Sequence, residues 1–344
     1  MSRPAGRSRD APSPWWRAAL ALVVLAAMLS GIAGGLLRAG VALPQGGGAW
    51  LGHAVVGHAF MMICGFMATV IGIERAVAVR HPLCFVGPLA SGAAGLLKLG
   101  GVDMVAAALG LAASLAFVAV NLVIARRQRA GHVVLLVIGA MAWAVGSALY
   151  ALGAPAEAAV PWWFAFLVLT IAAERLEMAR LMRHGPLGRV SLHGVLAALL
   201  VGAALSAFVY GLALVSLALW LARFDIARRT VRTHGLSRYM AVCLLLGYAW
   251  LAVAGLAWMA TAWGWPWRDA ALHGLALGFV FCMVFGHAPV ILPAIAGIKL
   301  LFGWAYYLPL ALLQLSLAVR VAGGFHQPRL LALGAAGNAL AILA

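Results

Sequence analysis

The sequence predicts an all-α integral membrane protein with about twelve transmembrane helices. Of its 344 residues, 65% are apolar and only 9% are charged, and the mean hydropathy is +1.04. Soluble domains carry about 25% charged residues. The apolar residues form long uninterrupted runs, unlike the alternating strands of an outer-membrane barrel. These observations exclude a soluble globular protein, a disordered chain and a disulfide scaffold, and the four cysteines are predicted to be small core residues.

Each predicted span is an apolar run bounded by short polar or Gly/Pro segments, and a spanning helix needs about 20 residues. The runs are 15–37, 49–73, 83–101, 102–125, 133–152, 160–181, 190–208, 209–224, 239–263, 268–288, 304–322 and 329–344. The first run exceeds the roughly 7 to 15 residues of a signal-peptide core, so we expect it to remain as a span. Residues 1–14 are predicted to be a disordered cytoplasmic tail, and 15–344 a single transmembrane domain.

Positive charge predicts the orientation. With these runs as spans, nineteen of the 24 Lys and Arg residues fall on one side and five on the other. Cytoplasmic loops carry such an excess, so both termini are predicted to lie in the cytoplasm. The net charge of +16 then needs no nucleic acid, because the basic residues flank the spans instead of forming one stripe. The predicted partner is the lipid bilayer.

A motif recurs at intervals of about 100 residues, which suggests internal repeats. Glu74–Arg80 and Glu174–Arg180 both contain E-R-x4-R, and Gly286-His287-Ala288-Pro289 occupies the corresponding end of the tenth run. We expect three four-helix units related by rotation about the membrane normal. Chance similarity among apolar helices is the alternative. The units would be 15–131, 132–232 and 233–344.

Two histidines are predicted to lie at similar depth in the outer leaflet. Tryptophans of external loops, such as Trp50, Trp163 and Trp267, usually mark the interface. His58 lies eight residues past Trp50, about 12 Å deep, and His273 lies six past Trp267, about 9 Å deep. Ionisable groups at such depth are costly and usually face the bundle interior. Two opposed neutral imidazoles suit a low-spin haem b, so a shared site is predicted, with separate packing histidines as the alternative.

Other residues on the same side could complete this site. Arg38 and Arg268 are predicted to pair with haem propionates, unless they are solvated loop charges. Glycines near each histidine would let a flat macrocycle or another helix approach closely. They are Gly57, Gly65, Gly274 and Gly278. Copper is a second candidate cofactor, and His53 is either a copper or outer-shell residue or an interfacial one.

Acidic and basic residues cluster on the opposite, inner-leaflet side. One hypothesis is a second metal site at His287, His193, Glu74 and Glu174. Another is a proton path through Glu174, Glu177 and Glu74. The alternative, which the residues favour, is a set of ion pairs that join helix ends, with Asp225 and Arg228 as further partners.

Two segments resemble a known family. His58–Phe66 (HAFMMICGF) resembles part of the W-H-x-H-x-M-x-x-G-F segment of NnrS-type membrane proteins, and His273–His287 resembles their later H…GH segment. Those are polytopic haem- and copper-containing proteins connected with nitric oxide metabolism. Twelve spans in three units also resemble the catalytic subunit of haem-copper oxidases and nitric oxide reductases. The whole chain is similar to uncharacterised bacterial membrane proteins with HGxLMxxGFxxTxIxxERA-like and FGHAPxIxPA-like segments.

The resemblance implies a haem b protein of a bacterial inner membrane, in electron transfer or nitric oxide handling, with a redox partner or respiratory-complex subunits. An enzyme of this type would be a membrane oxidoreductase acting on nitric oxide or quinol. His193 and His273 stand alone where the oxidases have histidine pairs, which argues against a binuclear oxygen-reducing centre. A cofactor-free transporter or permease with an inner-leaflet Glu/His pathway and a respiratory-complex accessory protein are the alternatives. The sequence contains no Walker loop, GxSxG or GxGxxG motif that would support nucleotide or serine chemistry.

Overall fold

A computed structural model describes residues 14–43, 48–178, 185–296, 301–324 and 326–344, and every regular element in these ranges is helical. Apart from Pro14, the predicted tail lies outside the described residues. The α-helices are α1 Pro14–Arg38, α2 Ala49–Val56, α3 His58–Phe60, α4 Ala68–Val79, α5 Val86–Leu99, α6 Asp103–Arg127, α7 Gly131–Ala151, α8 Ala156–Met178, α9 Pro186–Leu205, α10 Ala207–Phe224, α11 Ala227–Thr230, α12 Gly235–Ala262, α13 Arg268–His273, α14 Cys282–Ala296, α15 Tyr307–Gly323 and α16 Pro328–Leu343. Two π-helices, Met61–Met67 and Gly274–Phe281, and two 3₁₀-helices, Pro82–Phe85 and Trp304–Tyr306, continue neighbouring α-helices.

In the described ranges, eleven helical stretches are long and apolar enough to cross a membrane. They coincide with the first eleven predicted runs, so the all-helical fold is confirmed and the chain is a candidate multi-pass membrane protein. The twelfth predicted run is α16, an apolar helix of 16 residues. It is shorter than the roughly 20 residues of a full span, and the predicted count of twelve is therefore matched by eleven spans and one shorter helix.

Local chemistry explains where several helices begin. Ser206 separates α9 from α10, and its hydroxyl accepts a hydrogen bond from the backbone N–H of Val209 at 3.4 Å. Proline occupies the first turn of α9 and of α16, where its missing N–H costs nothing. Gly101 has a φ of +78° between α5 and α6, a conformation that glycine adopts without steric cost.

Three spans meet at the centre of the bundle. The sixth span, α8, is 72% buried, and it contacts both π-helices, which belong to the second and tenth spans. The aromatic rings of Phe66 and Phe281 stack between those two spans with centroids 6.3 Å apart. Trp163, predicted to be an interfacial tryptophan, is fully buried against Phe60 and Tyr150. Its large ring therefore packs in the protein core at the start of α8 and not against lipid headgroups.

A close contact between two helix backbones gives a testable prediction. Gly211 of α10 and Gly255 of α12 lie so close that a Cβ atom on either would collide with the carbonyl oxygen of the other. We expect Gly211→Leu to destabilise the protein by about 1–3 kcal/mol or more, because the two backbones must separate. Gly194→Leu on α9 is the matched control, since a Cβ there meets nothing within 4 Å. Thermal unfolding in detergent should show a lower midpoint for Gly211→Leu alone, and equal losses would contradict the prediction.

Candidate functional site

The structure brings His58 and His273 together from two spans. His58 begins α3 and His273 ends α13, and a π-helix follows each of them within three residues. Their ring centroids are 6.2 Å apart and their planes differ by 27°. Eight residues further along each span, Phe66 and Phe281 also stack, so the two spans run parallel and in register. π-Helical turns are rare in proteins, and many of those known lie at functional sites.

Hydrogen bonds determine which ring nitrogen of each histidine carries the proton. Nδ1 of His58 lies 2.7 Å from the carbonyl oxygen of Gly31 on α1. Nδ1 of His273 lies 3.1 Å from the carbonyl oxygen of Asp269, one turn earlier. A carbonyl oxygen can only accept, so in both neutral rings Nδ1 donates and Nε2 carries the lone pair. Histidines that bind metals through Nε2 have this arrangement.

The two Nε2 atoms have different surroundings. Among the described residues, Nε2 of His58 has no hydrogen-bond partner, whereas Nε2 of His273 lies 3.1 Å from Nη2 of Arg320 on α15. Arg320 also donates to both carboxylate oxygens of Asp269, at 2.9 and 2.8 Å. Sequence reasoning missed Asp269 and Arg320. The spacing of Asp269 and His273 by four residues is a signal that could have placed both on one helix face, whereas Arg320 lies within a predicted apolar run and carries no such signal.

A cavity of about 240 Å³ lies beside the histidine pair. His58, His273, Arg38 and Arg268, the four residues predicted to bind the cofactor, all line it. Its deeper wall is apolar and consists of residues from the second, sixth and tenth spans. They include Met62, Met67, Phe164, Leu167, Val280 and Phe281. The cavity therefore combines a polar mouth with an apolar interior.

The charges at the mouth are only partly neutralised. Nη2 of Arg268 lies 3.0 Å from a carboxylate oxygen of Glu157, and both side chains are more than half exposed. Nη1 of Arg38 donates to the carbonyl oxygen of Val55 at 3.3 Å. Within the part of the chain that is described, Arg38 has no acidic partner. Arg38 is therefore the cation best able to pair with an anionic group in the cavity.

The glycines beside the histidines serve helix packing. Gly65 packs against Gly95 of α5, and Gly278 packs against Trp250 of α12. The His58 ring packs against Gly35 of α1, where a Cβ would lie 2.7 Å from the ring. His53 points elsewhere, because its Nδ1 lies 3.1 Å from the carbonyl oxygen of Leu99 and it does not line the cavity.

The donor geometry can be compared with what haem requires. Two imidazoles bound through Nε2 at about 2 Å to one metal ion hold their ring centres about 6 Å apart, close to the observed 6.2 Å. The cavity volume of about 240 Å³ is below the roughly 300–1,000 Å³ of pockets that enclose drug-sized ligands. The ring separation therefore fits two histidine ligands of one iron, while part of a haem would lie in the open mouth. Iron at His273 would also displace the contact with Arg320.

Ion pairs join the helices at the opposite end of the bundle, as the favoured interpretation of the sequence predicted. Arg75 donates to Glu174 at 2.7 Å, from the second span to the sixth. Arg175 binds both carboxylate oxygens of Asp225, at 2.8 and 3.0 Å. Asp225 is thus confirmed as a partner. Arg228 is not, because it donates to the carbonyl oxygen of Arg223.

The residues of the hypothetical second metal site and proton path lie near this ion-pair layer, with one exception. His287 interacts electrostatically with Glu74, and Glu174 with both Glu74 and Glu177. His193 is exposed on α9, where its Nδ1 lies 2.7 Å from the carbonyl oxygen of Arg189. In the described ranges, no three His, Cys, Asp or Glu side chains converge as metal ligands. The second metal site and the proton path stay predictions.

Comparison with known proteins places the whole cavity inside one family domain. A family model described as a domain of unknown function, DUF8744, matches residues 17–344. The chain belongs to this family. The matched range includes every candidate span and all the residues that line the cavity. No curated protein and no solved structure matches the chain. Because the description of DUF8744 carries no activity, the resemblance to NnrS-type proteins stays a prediction.

Proposed function

We propose that the protein binds haem b between His58 and His273 and works in electron transfer or nitric oxide handling. The observation that carries the proposal is the pair of imidazoles from two spans, 6.2 Å apart, each with Nδ1 held by a carbonyl oxygen. When bound, haem supplies one-electron chemistry tuned by its axial ligands and their hydrogen bonds. Bis-histidine ligation from two helices is one way to hold such a group.

The surrounding residues would position the group and exclude water. The Gly31 carbonyl orients His58, and the Asp269 carbonyl orients His273. The apolar wall would accommodate the macrocycle, and Phe66 and Phe281 stack below the histidines. Arg38 would pair with a propionate, with Arg268 shared between Glu157 and the second one. Copper stays a second candidate cofactor, for which His58 and His273 would be the imidazole ligands.

The proposal includes an arrangement in the membrane. Three four-helix units would surround the contacting second, sixth and tenth spans, with both termini in the cytoplasm of a bacterium and the histidine pair near the outer surface. The central contacts of α8 with both π-helices support this arrangement. A redox partner or respiratory-complex subunits would then exchange electrons with the haem from that side. An enzymatic role would be that of a membrane oxidoreductase for nitric oxide or quinol.

The optical spectrum of purified protein tests the proposal. After expression with haem supplied, we expect a Soret band, a reduced spectrum typical of low-spin haem b, and one haem per chain by the pyridine haemochrome assay. A matched preparation from cells without added haem should take up haem when it is titrated in detergent. Protein without a Soret band after both treatments would overturn the proposal.

The ion-pair layer supports a second candidate, a cofactor-free permease. Its basis is the electrostatic proximity of Glu74, Glu174 and His287. The pairing of Glu174 with Arg75 favours a structural role instead, because a carboxylate that is held in an ion pair is less able to accept and release protons. If the purified protein contains no haem and co-purifies with respiratory subunits, the result would indicate an accessory protein of a respiratory complex. If it contains no haem and purifies without such subunits, the result would favour the permease.

A further inference from the structure

The two histidines of the proposed haem site have different hydrogen-bond partners. His58 contacts the neutral carbonyl of Gly31, and its Nε2 atom has no hydrogen-bond partner in the described part of the chain. His273 lies between two charged side chains. Nδ1 of His273 is 3.0 Å from Oδ1 of Asp269, and its Nε2 is 3.1 Å from Nη2 of Arg320. The Nε2 lone pair of His273 therefore already accepts a hydrogen bond, whereas that of His58 does not.

Arg320 is held firmly beside His273. Its side chain is only 8% exposed, and it binds the Asp269 carboxylate through two nitrogens. Its backbone packs so closely against α16 that a Cβ on Gly334 would collide with it. Bidentate Arg–carboxylate pairs have one strongly preferred geometry. Arg320 therefore presents Nη2 to His273 from a position that three helices define.

A metal ion and Arg320 would compete for the same nitrogen. The guanidinium is always protonated and can only donate, so it uses the Nε2 lone pair that would bind iron. Ligation by His273 requires that hydrogen bond to break, while ligation by His58 breaks none. The two axial bonds would therefore differ in strength even though both ligands are imidazoles.

We propose that Arg320, positioned by Asp269, competes with iron for His273, so that His58 would be the permanent ligand of a haem and His273 the exchangeable one. A small uncharged molecule would then bind on the His273 side. The apolar residues Leu272 and Ala276 line the cavity next to His273, and Arg320 can donate a hydrogen bond to a polar diatomic molecule there. The ligand part of this inference rests on the proposed haem function, but the masking of His273 by Arg320 does not.

Haem-free protein tests the masking directly. Diethyl pyrocarbonate modifies unprotonated imidazole nitrogens, and mass spectrometry of peptides gives the rate for each histidine. We expect His58 to react several-fold faster than His273. Arg320→Lys should raise the His273 rate several-fold, since lysine keeps a charge opposite Asp269 but lacks the forked donor. Arg228→Lys, at the other end of the bundle, is the matched control and should change neither rate.

A second variant keeps the test decisive if Arg320→Lys does not fold. If Arg320→Lys misfolds, the double variant Asp269→Asn/Arg320→Gln removes both charges together and should also raise the His273 rate. Equal rates for His58 and His273 in the wild-type protein, or an unchanged His273 rate in a folded variant, would overturn the masking. This result is independent of whether haem binds.

Carbon monoxide tests the exchangeable ligand in haem-loaded, reduced protein. We expect a fraction of the wild-type protein to bind carbon monoxide. His273→Ala should retain haem and bind carbon monoxide fully, and Arg320→Lys should bind carbon monoxide several-fold more weakly than the wild type. Loss of haem from His273→Ala, or no carbon monoxide binding by either the wild type or His273→Ala, would overturn the exchangeable ligand. Protein that never takes up haem would instead overturn the proposed function.

Discussion

Purified His58→Ala protein should contain no haem and show no Soret band, even when it is expressed with haem supplied. His58 is the histidine whose Nε2 atom is free among the described residues, and its ring is fixed by the Gly31 carbonyl at 2.7 Å. Without it, the histidine that remains among the described residues lining the cavity is His273, whose Nε2 already contacts Arg320. The measurement is the ratio of Soret absorbance to protein absorbance at equal purity.

His193→Ala is the matched control for this loss. His193 is an exposed histidine of α9 whose ring contacts the carbonyl of Arg189, so its removal should leave the spectrum unchanged. Added imidazole should restore absorbance to His58→Ala, because the small ring can enter the space that the side chain vacates. A wild-type spectrum in His58→Ala would show that His58 is not the ligand. Failure of imidazole to rescue a monodisperse variant would also argue against axial ligation.

Asp225→Ala should destabilise the protein by about 3–5 kcal/mol, the largest stability effect that we expect of a single substitution. Arg175 and Asp225 are 4% and 3% exposed, and they form a bidentate pair. Removing the carboxylate leaves a buried guanidinium without its partner. Asp225 also accepts a hydrogen bond from the backbone N–H of Ala227, which is lost as well. Unfolding followed by tryptophan fluorescence in detergent gives the free energy.

Two further variants distinguish an unpaired charge from a generally sensitive position. The double variant Arg175→Met/Asp225→Leu should recover most of the loss, since apolar residues of similar size often replace a buried ion pair without cost. Glu157→Ala breaks the exposed pair with Arg268 and should cost less than about 1 kcal/mol. A double variant as unstable as Asp225→Ala would contradict the explanation.

Part of the site could be predicted by counting residues from the interfacial tryptophans. A fixed rise of about 1.5 Å per residue placed His58 and His273 at similar depth, and in the structure their ring centroids lie 6.2 Å apart. The contact of His273 with Arg320 could not be predicted in this way, because 47 residues separate them. Arg320 lies inside an apolar helix and binds Asp269, so its buried position depends on a partner that hydropathy does not identify.

The sequence by itself determined that this is a helical protein of apolar spans, which stretch of the chain holds each of eleven candidate spans, and which residues interrupt them. It could do so because length and hydropathy are properties of each run alone. Only the tertiary structure decided that His58 and His273 share a cavity with Arg38 and Arg268, that Arg320 contacts one histidine, and that Arg175 pairs with Asp225. Those contacts depend on how parallel spans pack side by side, and packing is set by shape and by distant polar partners.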